Sequence, residues 1–124
     1  MTVDVDASDE RVEVDLERME QALRNLLENA IRYTRHGNVV RASARRIDGF
    51  ARFVVADSGP GFSPDLLASA FEPFTRGRAE IAGPTGAGLG LSIVRAVAEA
   101  HGGSVSVENT PDGARVTLDV RTFA

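Results

Sequence analysis

The sequence predicts an α/β (α+β) two-layer sandwich: a mixed, mostly antiparallel sheet of about five strands with three helices on one face. Three observations predict it. A 3.6-residue apolar period runs from Leu16 to Ile31, two alternating runs meet at Asp48-Gly49, and a second helical period from Leu89 to Ala98 leads into a second strand pair.

Taken in order, Thr2 to Asp6 and Val12 to Asp15 alternate apolar and acidic residues, which predicts a short β-pair with Ala7-Ser8-Asp9-Glu10 as its turn. Apolar residues at 16, 19, 23, 26, 27, 30 and 31 then predict an amphipathic helix, with Asp15 placed to cap it and His36-Gly37 to end it. Asn38 to Ile47 and Phe50 to Asp57 read as strands joined by Asp48-Gly49, residues that suit the positive φ of a tight hairpin turn. Ser63-Pro64-Asp65 opens a short helix to about Ala70, whereas Phe71 to Thr85 has two prolines and no clear period and reads as a mobile loop. Leu89, Ile93, Val94, Val97 and Ala98 mark a helix that ends at His101-Gly102-Gly103. Ser104 to Glu108 and Ala114 to Arg121 are strands around the turn Asn109 to Gly113.

The 124 residues fit one domain, with 43% apolar and 26% charged residues. A net charge of -4 offers no general attraction to nucleic acid, which is not an expected partner. The absence of cysteine excludes disulfides, thiolate metal sites and a cysteine nucleophile. No apolar stretch approaches the roughly 20 residues of a membrane span. The acidic N-terminus does not resemble a signal peptide. All 14 basic residues are arginine, so a nucleotide enzyme built on a P-loop lysine or a strand lysine is excluded.

Asparagine costs on the order of 0.5 kcal/mol against alanine inside a helix, so Asn25 and Asn29, one turn apart, call for a reason. At about 100° per residue they cluster with Arg32 opposite the apolar arc. Either this is ordinary surface polarity, or two neutral carbonyl oxygens ligate a hard cation while Arg32 faces the phosphates bound to it. Tyr33 borders the two arcs and either covers a purine or seals the core.

Asp57-Ser58-Gly59-Pro60-Gly61-Phe62 leaves the end of a strand. It is either a plain turn or a site where the Asp57 carboxylate accepts the exocyclic amine of adenine, a contact guanine does not offer. Gly86-Ala87-Gly88-Leu89-Gly90-Leu91 runs into the helix of Ser92 to Ala100, where free N–H groups suit an anion. Its G-x-G-x-G spacing follows a loop, which excludes the dinucleotide fingerprint. Between these boxes, Phe71-Glu72-Pro73-Phe74-Thr75-Arg76 offers two rings, as lid anchors or as core, with Arg76 or Arg78 within reach of phosphate.

The order and spacing of R-N-L-L-E-N-A-I-R-Y-T at 24 to 34, D-S-G-P-G-F at 57 to 62, F-E-P-F at 71 to 74 and G-A-G-L-G-L at 86 to 91 resemble the N, G1, F and G2 boxes of the sensor histidine kinase ATP-binding domain. That domain belongs to the Bergerat-fold superfamily of gyrase, Hsp90 and MutL. The resemblance spans nearly the whole chain and implies ATP held between the helical layer and a flexible lid at about 71 to 88. It implies Mg²⁺ at Asn29 with Asn25 beside it, adenine at Asp57, and an aromatic face from Tyr33. Nucleotide contacts also fall on Gly59, Gly61, Phe74, Arg76, Arg32 and the run Gly86, Gly88, Leu89, Gly90 and Leu91. Many members have arginine at the position of Pro73, so a phosphate contact from this box falls to Arg76 or Arg78, or is absent.

In the resemblance, the water-splitting and serine-kinase branches have glutamate as a base where this chain has Asn25. Neutral imidazole is already nucleophilic near pH 7 and does without one. The expected activity is therefore transfer of the γ-phosphate of ATP to a histidine. A same-fold ATPase or serine kinase and a non-catalytic nucleotide-binding module are the alternatives. His36 and His101 each precede a glycine at a helix end, where capping accounts for them. The acceptor is expected on a separate dimerisation domain, and a response regulator is reached through the full-length kinase. That parent is expected to be a homodimeric bacterial inner-membrane receptor, with this piece a cytoplasmic domain, monomeric alone.

Overall fold

A computed structural model of the chain describes residues 2–7, 14–33, 39–64, 67, 70–71 and 90–122, with 2–7, 32–33 and 90 described in backbone only. It contains β1 (Thr2–Ala7), α1 (Leu16–Tyr33), β2 (Val39–Ile47), β3 (Phe50–Asp57), α2 (Gly90–Ala100), β4 (Ser104–Asn109) and β5 (Ala114–Arg121). The five strands form one sheet in the order β1-β2-β3-β5-β4, antiparallel except that β1 runs parallel to β2.

The α+β sandwich is present as expected, with one correction at its edge. β1 pairs with β2, from Thr2 opposite Val39 to Ala7 opposite Ala44; of its expected partner segment, Val14 and Asp15 are not in a strand, and Val12 and Glu13 lie outside the described residues. Val14 packs against the core, and Asp15 Oδ1 accepts the Arg18 N–H at 3.1 Å, the N-cap expected of it.

Helix α1 buries Met19, Ala22, Leu26 and Ala30, an i, i+3, i+4 stripe. The apolar arc is narrower than the sequence suggests, because Leu16 and Ile31 at its ends are 69% and 41% exposed. The second helix begins at Gly90 rather than Ser92 and buries Leu91, Val94, Val97 and Ala98. Gly102, at φ 64°, ends it, with Gly102 N donating to Glu99 O and Gly103 N to Ala98 O. His101 Nδ1 donates to Val97 O at 2.8 Å, a capping role for that histidine. His36-Gly37, proposed as the end of α1, lies outside the described residues. Of the short helix expected over 63–70, Pro64 and Leu67 are helical, with Leu67 N donating to Ser63 O.

The core forms where α1 and α2, packed on each other, meet one face of the sheet. Val40, Ala51, Val55, Val116, Leu118 and Val120 point into it, and Leu26, Leu118, Val40, Val94 and Val120 are its largest fully buried side chains. Burial of a side chain of this size contributes roughly 1.5–3 kcal/mol. The turn between β2 and β3 has φ 47° at Asp48 and 83° at Gly49, the two positive angles that Asp-Gly predicts.

The opposite face carries cross-strand ion pairs. Arg52 meets Asp119 through two parallel bonds, Nε to Oδ1 at 2.8 Å and Nη2 to Oδ2 at 3.0 Å, and Arg115 Nε meets Glu108 Oε1 at 2.6 Å. The bond to Asp119 and its charge raise the Arg52 pKa above the ordinary value. The Arg121 guanidinium lies 5.4 Å from the centroid of the Phe50 ring.

Candidate functional site

One end of the sheet gathers the first candidate. Val40, Asp57, Ala114 and Asn109 stand in register across β2, β3, β5 and β4, so Asp57 is the last residue of a central strand. It is 7% exposed, a degree of burial that aspartate rarely shows without a partner. Its Oδ1 accepts the Gly59 N–H at 2.9 Å, which folds the chain back over the carboxylate. Ser58 fastens the same turn to β2: its N–H donates to Val39 O at 3.0 Å, and its Oγ accepts the Val39 N–H at 2.8 Å.

The far side of this loop is held by a residue that sequence reasoning assigned only to a turn. Asn109 Oδ1 accepts the Phe62 N–H at 2.8 Å and its Nδ2 donates to Phe62 O at 2.6 Å. Gly61 is buried at φ 75°, and a Cβ there would stand 2.9 Å from Asn109 Oδ1. Gly59 and Gly61 thus shape the loop through their backbones. Asn109 and Phe62 are 47 positions apart. No local pattern joins them, and Asn109 left no signal beyond a turn-former before Thr110-Pro111-Asp112-Gly113.

Asn25 and Asn29 lie on α1, whose neighbours are β3, the strand that Asp57 ends, and α2. Neither belongs to the buried apolar stripe of the helix, as the helical wheel suggested, and both are half-buried. Asn25 Nδ2 is buried, with no hydrogen-bond partner among the described residues. Leaving such a donor unmet costs about 1–3 kcal/mol, so it marks a position shaped for an acceptor. Rotating the amide by half a turn presents its oxygen to a cation instead. No group of three His, Cys, Asp or Glu able to hold a metal occurs among the described residues. Asn25 and Asn29 offer neutral amide oxygens, which suit a hard ion that also binds phosphate.

Gly90 opens α2, so its backbone belongs to a helix N-terminus, where N–H groups lack intrahelical acceptors. Leu91 turns its side chain into the core and has only its N–H to offer a ligand. Arg32 and Tyr33 form the last residues of α1. Phe71 packs against the core, the structural alternative for that ring. Phe74, Arg76, Gly86, Gly88, Leu89 and the rest of the proposed lid lie outside the described residues.

With this geometry in place, comparison with known proteins is specific. The family described as histidine kinase-, DNA gyrase B-, and HSP90-like ATPase matches residues 14–122. The histidine protein kinase DivJ of Caulobacter vibrioides is 39% identical over 112 residues, which cover 89% of this chain and 19% of DivJ. A mycobacterial sensor histidine kinase, MprB, superposes with a TM-score of 0.85 at 30% identity, over 98% of this chain and 83% of that one. Full-length ShkA, solved in complex with AMPPNP, superposes with a TM-score of 0.77 at 33% identity, over 97% of this chain and 26% of that one. The chain is thus similar to one portion of much longer kinases, about a fifth of DivJ.

Proposed function

The chain belongs to the histidine kinase-, DNA gyrase B-, and HSP90-like ATPase family, and we propose that it binds MgATP and donates the γ-phosphate to a histidine on the dimerisation domain of a sensor histidine kinase. The observation that carries this reading is a buried carboxylate at the end of β3, Asp57, together with a buried amide donor, Asn25 Nδ2, that meets no partner among the described residues on the helix packed against that strand. One suits an adenine amine and the other a phosphate oxygen or, turned over, its cation. ShkA, a relative of the same fold, is known with an ATP analogue bound.

In this reading Asp57 accepts the adenine amine and Tyr33 covers the ring. Asn29, with Asn25 beside it, would hold Mg²⁺, which would supply charge neutralisation for the phosphates. Arg32, Arg76 and the backbone from Gly86 through Gly90 and Leu91 orient the triphosphate, the helix start lending its N–H groups to the negative oxygens. The acceptor imidazole nitrogen attacks the γ-phosphorus, a nitrogen–phosphorus bond forms, and the bond to the bridging oxygen breaks as ADP departs with the electron pair. Asn25 is no base, and neutral imidazole requires none for its attack. The partners are the dimerisation domain and, through the complete kinase, a response regulator.

The test supplies the chain with a matching dimerisation domain and γ-labelled ATP. Acid-labile label on the domain's histidine is expected. Faster-than-background ATP hydrolysis by the chain alone, abolished by Asn25→Ala, would overturn the histidine assignment in favour of a water-splitting enzyme. Nucleotide binding with no label transferred would leave a silent binding module.

A further inference from the structure

We infer that Asn109 is the positioning residue of the adenine loop: its side-chain amide sets the Asp57–Phe62 segment in the shape that recognises the base, without touching the nucleotide. The inference rests on the reading of Asp57 as the adenine acceptor.

The β3–β5 ladder stops at the row that contains Asp57 and Ala114, and beyond it the Ser58 N–H to Val39 O bond ties the start of the loop to β2. Phe62 is buried in the core at the loop's far end, where an unpaired N–H and C=O are costly. One amide meets both needs, accepting from Phe62 N and donating to Phe62 O, as a further peptide unit of a ladder would. A carboxylate supplies only the acceptor, and a hydroxyl does not span the two atoms.

Asn109 is itself fixed by the turn that follows it. Thr110 N donates to Gly113 O at 2.8 Å, and Thr110 Oγ1 accepts from Gly113 N at 3.1 Å and Asp112 N at 3.3 Å. Gly113 lies directly beneath the base loop: a Cβ on it would stand 2.1 Å from the Asp57 carbonyl oxygen and 2.9 Å from Gly59 N. The loop is therefore held at Val39 by Ser58, from below by Gly113, and at its far end by Asn109. Asn109 is exposed at the end of an edge strand, outside the core, so its amide places the loop and contributes little to packing. The Asp57 carboxylate takes its direction from the Gly59 N–H within that loop. Releasing Phe62 therefore loosens the turn that aims the carboxylate.

The experiment measures MgADP and MgGDP binding to the 124-residue chain by calorimetry, together with amide hydrogen exchange at Phe62. Wild type, Asn109→Ala and Asn109→Asp are compared; the last keeps the acceptor and loses the donor. Loss of two hydrogen bonds that order the loop is expected to weaken MgADP binding about tenfold in Asn109→Ala, with MgGDP unchanged, so that the preference for adenine falls by the same factor. Exchange at Phe62 is expected to accelerate in the same variant. In the complete kinase the KM for ATP rises while kcat holds. If Asn109→Ala does not fold, Asn109→Asp carries the comparison. Folded variants that keep the wild-type preference for ADP, or wild-type protection at Phe62, overturn the assignment. Wild type that fails to bind MgADP at all instead removes the adenine reading beneath it.

Discussion

The carbonyl oxygen of Asp57 lies 2.1 Å from the point that a Cβ on Gly113 would occupy, so the turn between β4 and β5 is seated against the backbone of the candidate base-binding loop. Neither side of that contact is a flexible side chain that can move aside. Gly113→Ala is expected to cost about 3 kcal/mol or more, since strain of this kind must be relieved by shifting strands. Gly49→Ala meets nothing within 4 Å and bears only the strain of φ 83°, roughly 1–2 kcal/mol. Thermal melts of the two variants test the ranking, and equal losses would contradict it.

At Asp57 the expectation concerns affinity. Asp57→Ala removes the acceptor for the adenine amine, which is expected to weaken MgADP binding about 10- to 100-fold by the value of one charge-assisted hydrogen bond. The loop remains pinned by Ser58 and Asn109. Calorimetry on a folded variant decides the matter, and undiminished binding would remove Asp57 from the site.

For Asn25 stability and function are expected to move in opposite directions. Asn25→Ala deletes a buried donor that has no partner among the described residues and improves helix propensity, together a gain of about 1 kcal/mol in the nucleotide-free chain. Phosphotransfer should fall steeply in the same variant. A melt beside a transfer assay checks both, and a destabilised variant with full activity would refute the assignment. Asn29→Ala should chiefly remove the Mg²⁺ dependence of nucleotide binding, seen by titration with and without the ion.

Leu26 is 1% exposed where α1 meets the rest of the core. Leu26→Ala should cost about 2–5 kcal/mol from lost burial and the cavity left behind. Denaturant unfolding measures this directly.

Local chemistry was legible in the residues. The turn at Asp48-Gly49, the Asp15 cap and the helix stop at Gly102 each depend on neighbours within a few positions, and each is present. Pairing between distant segments was not. The alternation of Thr2 to Asp6 announces a strand without naming its partner, which is the distant β2, while Val14 and Asp15 of the nearer candidate are not in a strand. The helical wheel placed Asn25 and Asn29 opposite the core but had no knowledge of the neighbouring elements that half-bury them. Asn109 is the clearest case, because its meaning comes from Phe62, which is remote in sequence.

The two faces of the sheet also divide the molecule's response to ionic strength. The pairs Arg52–Asp119 and Arg115–Glu108 sit in solvent, where added salt screens them readily. The fastenings of the base loop, Ser58 to Val39 and Asn109 to Phe62, join groups of no net charge and are largely indifferent to it. A salt series is therefore expected to loosen the outer face while the loop from Asp57 to Phe62 keeps its form. In the proposed MgATP site, changes in nucleotide affinity along such a series would then report the phosphates and their counter-charges rather than the adenine end.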